Sequence, residues 1–138
     1  MPAQDILLTL RKIAVLGKSS DQTMPLPTTV LRDLIKYAVA AEFDSDWYLE
    51  RYPDVAKAID KGVELSALDH YANSGIYEGR IPAPIALDEF DYMLRHRDVA
   101  DAVKAGEMSS ASDHFYMSGF LEGRAFQLED AQSGKKAS

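Results

Sequence analysis

Apolar positions recur at helical spacing along most of the chain, and no stretch shows a convincing run of strand alternation. Ile6, Leu7, Leu10 and Ile13 share one face of an amphipathic helix predicted over 3–16, with Gly17 as its stop. Residues 18–27 read as a polar, proline-containing linker. Thr28 or Thr29 then caps a second helix with Leu31, Leu34, Ile35, Ala38 and Val39 on its apolar face. Beyond residue 42 the helices become short and are punctuated by Asp, Ser, Pro and Gly. After Phe126 the chain turns polar and ends Gly-Lys-Lys-Ala-Ser, the composition of a flexible tail. The expected class is all-α: an N-terminal helical segment followed by two tandem repeats of short helices, packed as one small domain.

The repeat is explicit. Residues 43–80 align with 87–124 at a constant offset of 44 without a gap, and 17 of the 38 positions are identical. Unrelated segments would share about two or three. The matches include Asp44/Asp88, Tyr48/Tyr92, Asp54/Asp98, Gly62/Gly106, Ser66/Ser110, Asp69/Asp113, His70/His114 and Gly75/Gly119, and they end on Glu-Gly-Arg at 78–80 and 122–124. Four segments follow: 1–42 as the N-terminal part, 43–86 and 87–126 as the repeats, 127–138 as the tail. Within each repeat, Asp44 or Asp88 caps a first helix, Gly62 or Gly106 ends a second in the left-handed conformation, and Ser66 or Ser110 opens a third that closes at Gly75 or Gly119. Pro53 divides the first two helices of repeat one. Arg97 stands at that position in repeat two, so its first two helices are expected to run together.

Composition narrows the function classes. The chain has 138 residues, a net charge of −7 and no cysteine. Phosphate-backbone binding draws on Lys and Arg, so a nucleic-acid partner is disfavoured. Thiol nucleophiles, disulfides and thiolate metal sites are excluded outright. No stretch has the roughly 18 apolar residues of a membrane helix, so no membrane insertion is expected. The opening residues lack the basic–apolar order of a secretory signal. A cytoplasmic protein is the default expectation, with export by another route or within a larger assembly left open.

His70 and His114 each follow an acid near a helix start, a pairing that can orient a general base. Neighbours on a helix diverge by about 100°, however, and Asp69 is engaged in capping, so a structural histidine bonded to backbone or to a neighbouring helix is favoured. Asp44-Ser45-Asp46 has the acid spacing of a metal-binding Asp-x-Asp, but lacks the α/β scaffold that such chemistry needs, and capping is the better reading. Gly79 and Gly123 are expected to supply a conformation closed to other residues and to turn Arg80 and Arg124 back across the repeat, onto Asp54 and Asp98. Neither a metal nor a cofactor is expected. Trp47, Tyr52, Tyr71 and Tyr77 make repeat one richer in aromatics and are the candidate ligand or partner contacts.

The run from Phe43 to Leu49 (Phe-Asp-Ser-Asp-Trp-Tyr-Leu), then Tyr52-Pro53-Asp54-Val55-Ala56, Asp69-His70-Tyr71 and Gly75 with Glu78-Gly79-Arg80, resembles a short bacterial repeat. That repeat occurs in tandem in proteins associated with cell-surface polysaccharide, including large glycosyltransferase and rhamnan-synthesis-type proteins, and in secreted repeat proteins. The resemblance covers about 80 residues and implies an accessory module near glycan or envelope biology. It implies no named reaction. Repeat two departs from it at Asp91, Arg97 and Phe115, which confines any ligand role of Trp47 or Tyr71 to repeat one. The expected function is a non-enzymatic binding or assembly module whose partner is a surface polysaccharide or a protein of its synthesis machinery. The alternative is a protein–protein adaptor or self-associating scaffold that uses the N-terminal helices, with no glycan role.

Overall fold

Four helix starts among the described residues follow an Asp or a Ser. The computed structural model describes residues 26–130 together with Gln4, Leu7, Leu8 and Arg11. Asp44 accepts from the Trp47 N–H at 2.9 Å and starts α2 (Ser45–Arg51); Asp88 does the same for the Asp91 N–H and starts α5 (Glu89–Arg95). Ser66 and Ser110 accept from the N–H three residues on and start α4 (Ala67–His70) and α7 (Ala111–His114). Each of these bonds satisfies a donor that a helix N-terminus leaves open. Between them lie α3 (Pro53–Asp60) and α6 (Arg97–Lys104), and α1 (Thr28–Val39) precedes them all.

The chain divides into two compact all-α units, one drawn from Leu7–Pro84 and the other from Ile85–Ser138. In the first, α1 packs on the segment that follows α4, burying Ile35 and Val39, so this helix of the N-terminal segment belongs with repeat one. Lys36 adds a 2.6 Å ion pair to Asp69. Tyr48, Val55, Tyr71, Ile76 and Ile81 form the core. Tyr92, Val99, Phe115, Phe120 and Phe126 form that of the second unit, with the Phe115 and Phe126 rings 4.8 Å apart. No strand occurs among the described residues, only an isolated antiparallel bridge between Leu87 and Leu128.

Several expectations need correction. Neither Thr28 nor Thr29 caps α1: the chain enters it through Pro27, whose carbonyl accepts from the Val30 and Leu31 N–H groups. Leu34 and Ala38 lie on the exposed side of that helix. The helices of repeat two do not run together, because His96 breaks them with the same extended backbone that Tyr52 adopts in repeat one. The third helix of each repeat passes into a π-helical turn, Tyr71–Gly75 and Phe115–Gly119; in repeat one the helical run ends at Gly75, whereas in repeat two it continues beyond Gly119 into α8 (Phe120–Glu122). Residues 127–130 are not tail: Gln127 accepts from the Asp88 N–H and Glu129 donates to the Ala86 carbonyl. The remaining tail residues and the linker over 18–25 lie outside the described residues. Of the helix expected over 3–16, Gln4, Leu7, Leu8 and Arg11 are described; all four are helical, and Leu7 is buried.

Candidate functional site

Among the described residues four glycines have positive φ: Gly62, Gly79, Gly106 and Gly123, between 72° and 76°. At 79 and 123 this conformation reverses the chain, and the next N–H, that of Arg80 or Arg124, bonds back to the carbonyl of Gly75 or Gly119. The reversal carries Arg80 to Asp54, 26 residues earlier, where Nη1 and Nη2 donate to the two carboxylate oxygens at 3.0 and 2.7 Å. Arg80 Nε donates to Glu78 at 2.6 Å, and the guanidinium lies 4.8 Å from the centre of the Tyr52 ring. Repeat two builds the same fork, with Arg124 on Asp98 at 2.8 and 2.7 Å and on Glu122 at 2.7 Å. Hydrogen bonding from the guanidinium holds both aspartates below their ordinary range, Asp98 at about 2.

Beneath each fork lies a buried polar pair. The Tyr48 hydroxyl shares a 3.0 Å hydrogen bond with His70 Nδ1, and Tyr92 shares one of the same length with His114. The π register turns residues 70, 71, 72, 75 and 76 all inward, which an α-helix of that length would not do. A Cβ on Gly75 or Gly119 would overlap the tyrosine hydroxyl, so glycine is needed here for close approach, not for a turn. Burial pushes the Tyr92 phenol up to about 12 and Tyr48 further, while it lowers the His114 imidazole. The pairs therefore stay neutral near pH 7 at Tyr48, Tyr92 and His114, and each lies inside the core of its own unit.

Position 52 ties the helix break to the segment after the arginine. In repeat one the Tyr52 hydroxyl accepts from the Ile81 N–H at 3.1 Å; in repeat two His96 Nε2 donates to the Ala125 carbonyl at 2.8 Å. The tie is kept with its polarity reversed. His96 was not singled out by any motif, because Tyr and His share no obvious chemistry until the common contact is seen.

The candidate ligand aromatics separate. Tyr71 is sealed in the core, its hydroxyl without a hydrogen-bond partner, and offers no surface to a ligand; this removes it from the expected contacts. Tyr52 is half-buried and occupied by Ile81 and Arg80. Tyr77 lines an open cleft of about 200 Å³ with Thr28, Thr29, Arg32, Ala72 and Asn73. Trp47, half-buried and edge-on to Tyr52, lines another of about 370 Å³ with Glu50 and Arg51. In repeat two Asp91 takes the tryptophan's place and pairs with Arg95 at 2.7 Å. Among the described residues no three His, Asp or Glu side chains gather as a metal site, and no helix is long and apolar enough to cross a membrane.

No protein-family model, curated protein or solved structure matches the chain.

Proposed function

We propose that the chain is a non-enzymatic binding module for a surface polysaccharide, and that repeat one holds the contact. The carrying observation is the open cleft of Trp47, Glu50 and Arg51, an aromatic face flanked by a carboxylate and a guanidinium. An indole face stacks on the C–H side of a sugar ring while the flanking groups take hydroxyls, the composition expected of a pocket that orients a polar ligand. The forks and Tyr–His pairs are common to both repeats and serve the scaffold; at the cleft, repeat two has Asp91 and Leu94 in place of Trp47 and Glu50. Trp47 is the single tryptophan of the chain, so its fluorescence reports on this cleft directly. Titration with neutral and acidic bacterial polysaccharides is expected to shift that emission. Pull-down on immobilised polysaccharide is expected to fail for Trp47→Asp, which installs the repeat-two residue. Retention of the variant on the polysaccharide would refute the reading.

A second reading, a protein–protein adaptor without a glycan role, is favoured by one observation: Val30, Leu34 and Tyr37 form an exposed apolar row along α1. Polysaccharide silence, together with a protein partner lost on Leu34→Glu or Tyr37→Ser, would select it.

A further inference from the structure

Of the aromatics that enrich repeat one, Tyr71 fills the core, Tyr52 ties the helix break and Trp47 lines the cleft on α2, which leaves Tyr77 without a role. Tyr77 follows the π turn, is half-buried, and lines the other cleft, of about 200 Å³. Ala72 and Asn73 of the π turn and Thr28, Thr29 and Arg32 of α1 complete its wall, all within the first unit.

The fold does not demand polar side chains at this place. Repeat two makes the same π turn with Met117 and Leu121 at the positions of Asn73 and Tyr77, and Met117 is 71% exposed. Among the described residues, the side chains of Thr28, Thr29, Asn73 and Tyr77 form no hydrogen bond with the rest of the chain. The cleft thus gathers two hydroxyls, a carboxamide and a phenol whose bonding capacity is open, beside an aromatic ring.

Arg32 is the charged side chain of the cleft. It spends only Nε on Asp33, at 3.4 Å on the exposed surface, a contact worth little in water, and leaves its two terminal nitrogens for another partner. The other carboxylates around it are taken. Asp69, within electrostatic reach of Arg32, is held by Lys36 and Ser66 at 2.6 and 2.7 Å. Glu78, next to Tyr77 in sequence, is held by Arg80 at 2.6 Å. Among the described residues no carboxylate lines the cleft itself.

We propose that this cleft binds a small hydroxylated ring carrying one anionic group, a sugar acid or a sugar phosphate. The anion lies on Arg32, the ring against Tyr77, and the hydroxyls on Asn73, Thr28 and Thr29. Carboxylate and phosphate present the same pair of acceptor oxygens to a guanidinium fork, and a ring with C–H faces suits the phenol. A peptide carboxylate would use Arg32 but leave the hydroxyl-bearing wall idle. The volume lies below the roughly 300 Å³ at which pockets for drug-sized ligands begin, which suits a single ring. Such a ligand on an open surface is expected to bind with a Kd of about 1 mM. The site shares no lining residue with the Trp47 cleft and does not depend on the polysaccharide reading.

Proton–nitrogen correlation NMR on the full chain, at constant ionic strength, tests the proposal with glucuronate, glucose 6-phosphate, glucose and inorganic phosphate as probes. The two sugar anions are expected to give saturating shifts centred on residues 28–32 and 72–77; the tighter of the two distinguishes a carboxylate ligand from a phosphate. Glucose and inorganic phosphate each carry half of the recognised chemistry and are expected to bind at least about tenfold more weakly. Arg32→Gln is expected to weaken both sugar anions by about tenfold or more. Asn73→Met/Tyr77→Leu, which installs the repeat-two residues, is expected to weaken them with unchanged helical circular dichroism. Trp47→Asp is expected to leave the titration as it is, which keeps this result separate from polysaccharide binding. Shifts that fail to saturate or that centre on Trp47 would overturn the proposal. So would glucose or inorganic phosphate matching the sugar anions, or Arg32→Gln binding like the parent.

Discussion

The Tyr48 hydroxyl lies 3.0 Å from His70 Nδ1 and closes directly over the backbone of Gly75. Tyr92 repeats the relationship with His114 over Gly119. A buried hydroxyl and a buried imidazole are each costly alone, and each is tolerated here because it satisfies the other. The absence of a Cβ at the glycine lets the tyrosine from the first helix reach the histidine of the third. One contact therefore joins the two ends of each repeat.

The first prediction tests that close approach. Gly75→Ala is expected to lower unfolding free energy by about 2–3 kcal/mol, since the new methyl overlaps the tyrosine oxygen in a packed core. The atom in the way is the hydroxyl, so Tyr48→Phe in the Gly75→Ala background is expected to recover part of the loss. On its own, Tyr48→Phe strips the buried His70 Nδ1 of its partner and costs about 1–2 kcal/mol. Urea unfolding of the two single variants and the double variant closes the cycle; additive losses would contradict the geometry.

Acid sensitivity follows from the arginine forks. Asp98 titrates at about 2 in the folded chain because Arg124 hydrogen-bonds its carboxylate, against roughly 3.9 when unfolded. A carboxyl depressed in the folded state contributes stability that is complete above its unfolded pKa and is lost as pH falls through the folded one. Asp54 is lowered in the same direction by Arg80. Unfolding free energy is expected to drop between about pH 4 and pH 2, and Arg124→Gln is expected to flatten that segment of the profile. A milder decline should begin below about pH 6.5, where the unfolded chain binds a proton that buried His114 resists. Guanidinium melts in steps of half a pH unit measure both.

The break between α5 and α6 persists without a proline. His96 already has extended backbone angles (φ −124°, ψ 85°), close to those of Tyr52 before Pro53, and position 97 is the first residue of a helix. Arg97→Pro therefore meets no steric conflict, and it narrows the unfolded ensemble. The variant is expected to gain about 0.4–1 kcal/mol by chemical denaturation. A loss would mean that the Arg97 side chain or N–H holds a contact of its own.

Much of the fold was legible in the sequence where a residue acts on its own neighbours. Asp44, Asp88, Ser66 and Ser110 cap helices because their oxygens reach an N–H three residues on, and Gly62, Gly79, Gly106 and Gly123 turn the chain because only glycine takes that φ cheaply. The close approach at Gly75 and Gly119 is hidden, and Gly119 reads as a stop, because the sequence looks the same whether glycine serves a turn or a close approach. The difference is made by a tyrosine 27 positions away. Proline at 53 suggested that the helix break depends on it, whereas the side chain at 52 or 96 ties the break in both repeats. Among the aromatics, the richness of repeat one made Tyr71 a ligand candidate, but a ring that can stack on a sugar can equally fill a core, and the fold places Tyr71 in the core, as it does Phe115 in repeat two.

Tyr71 provides the last prediction. Its hydroxyl is buried without a hydrogen-bond partner, among Phe43, Tyr48 and the residues beneath α1, and burial pushes its phenol pKa upward. A buried hydroxyl that lost its water and gained no partner destabilises the folded chain, while the ring that carries it still contributes its apolar area. Repeat two makes the same π turn with Phe115 in that place. Tyr71→Phe is thus expected to leave stability unchanged or raise it by up to about 1 kcal/mol, opposite in sign to Tyr48→Phe one helix away. Parallel urea titrations of the two variants provide the comparison. A loss beyond about 1 kcal/mol in Tyr71→Phe would reveal a bound water or another partner at that oxygen and would return the residue to the list of working polar groups.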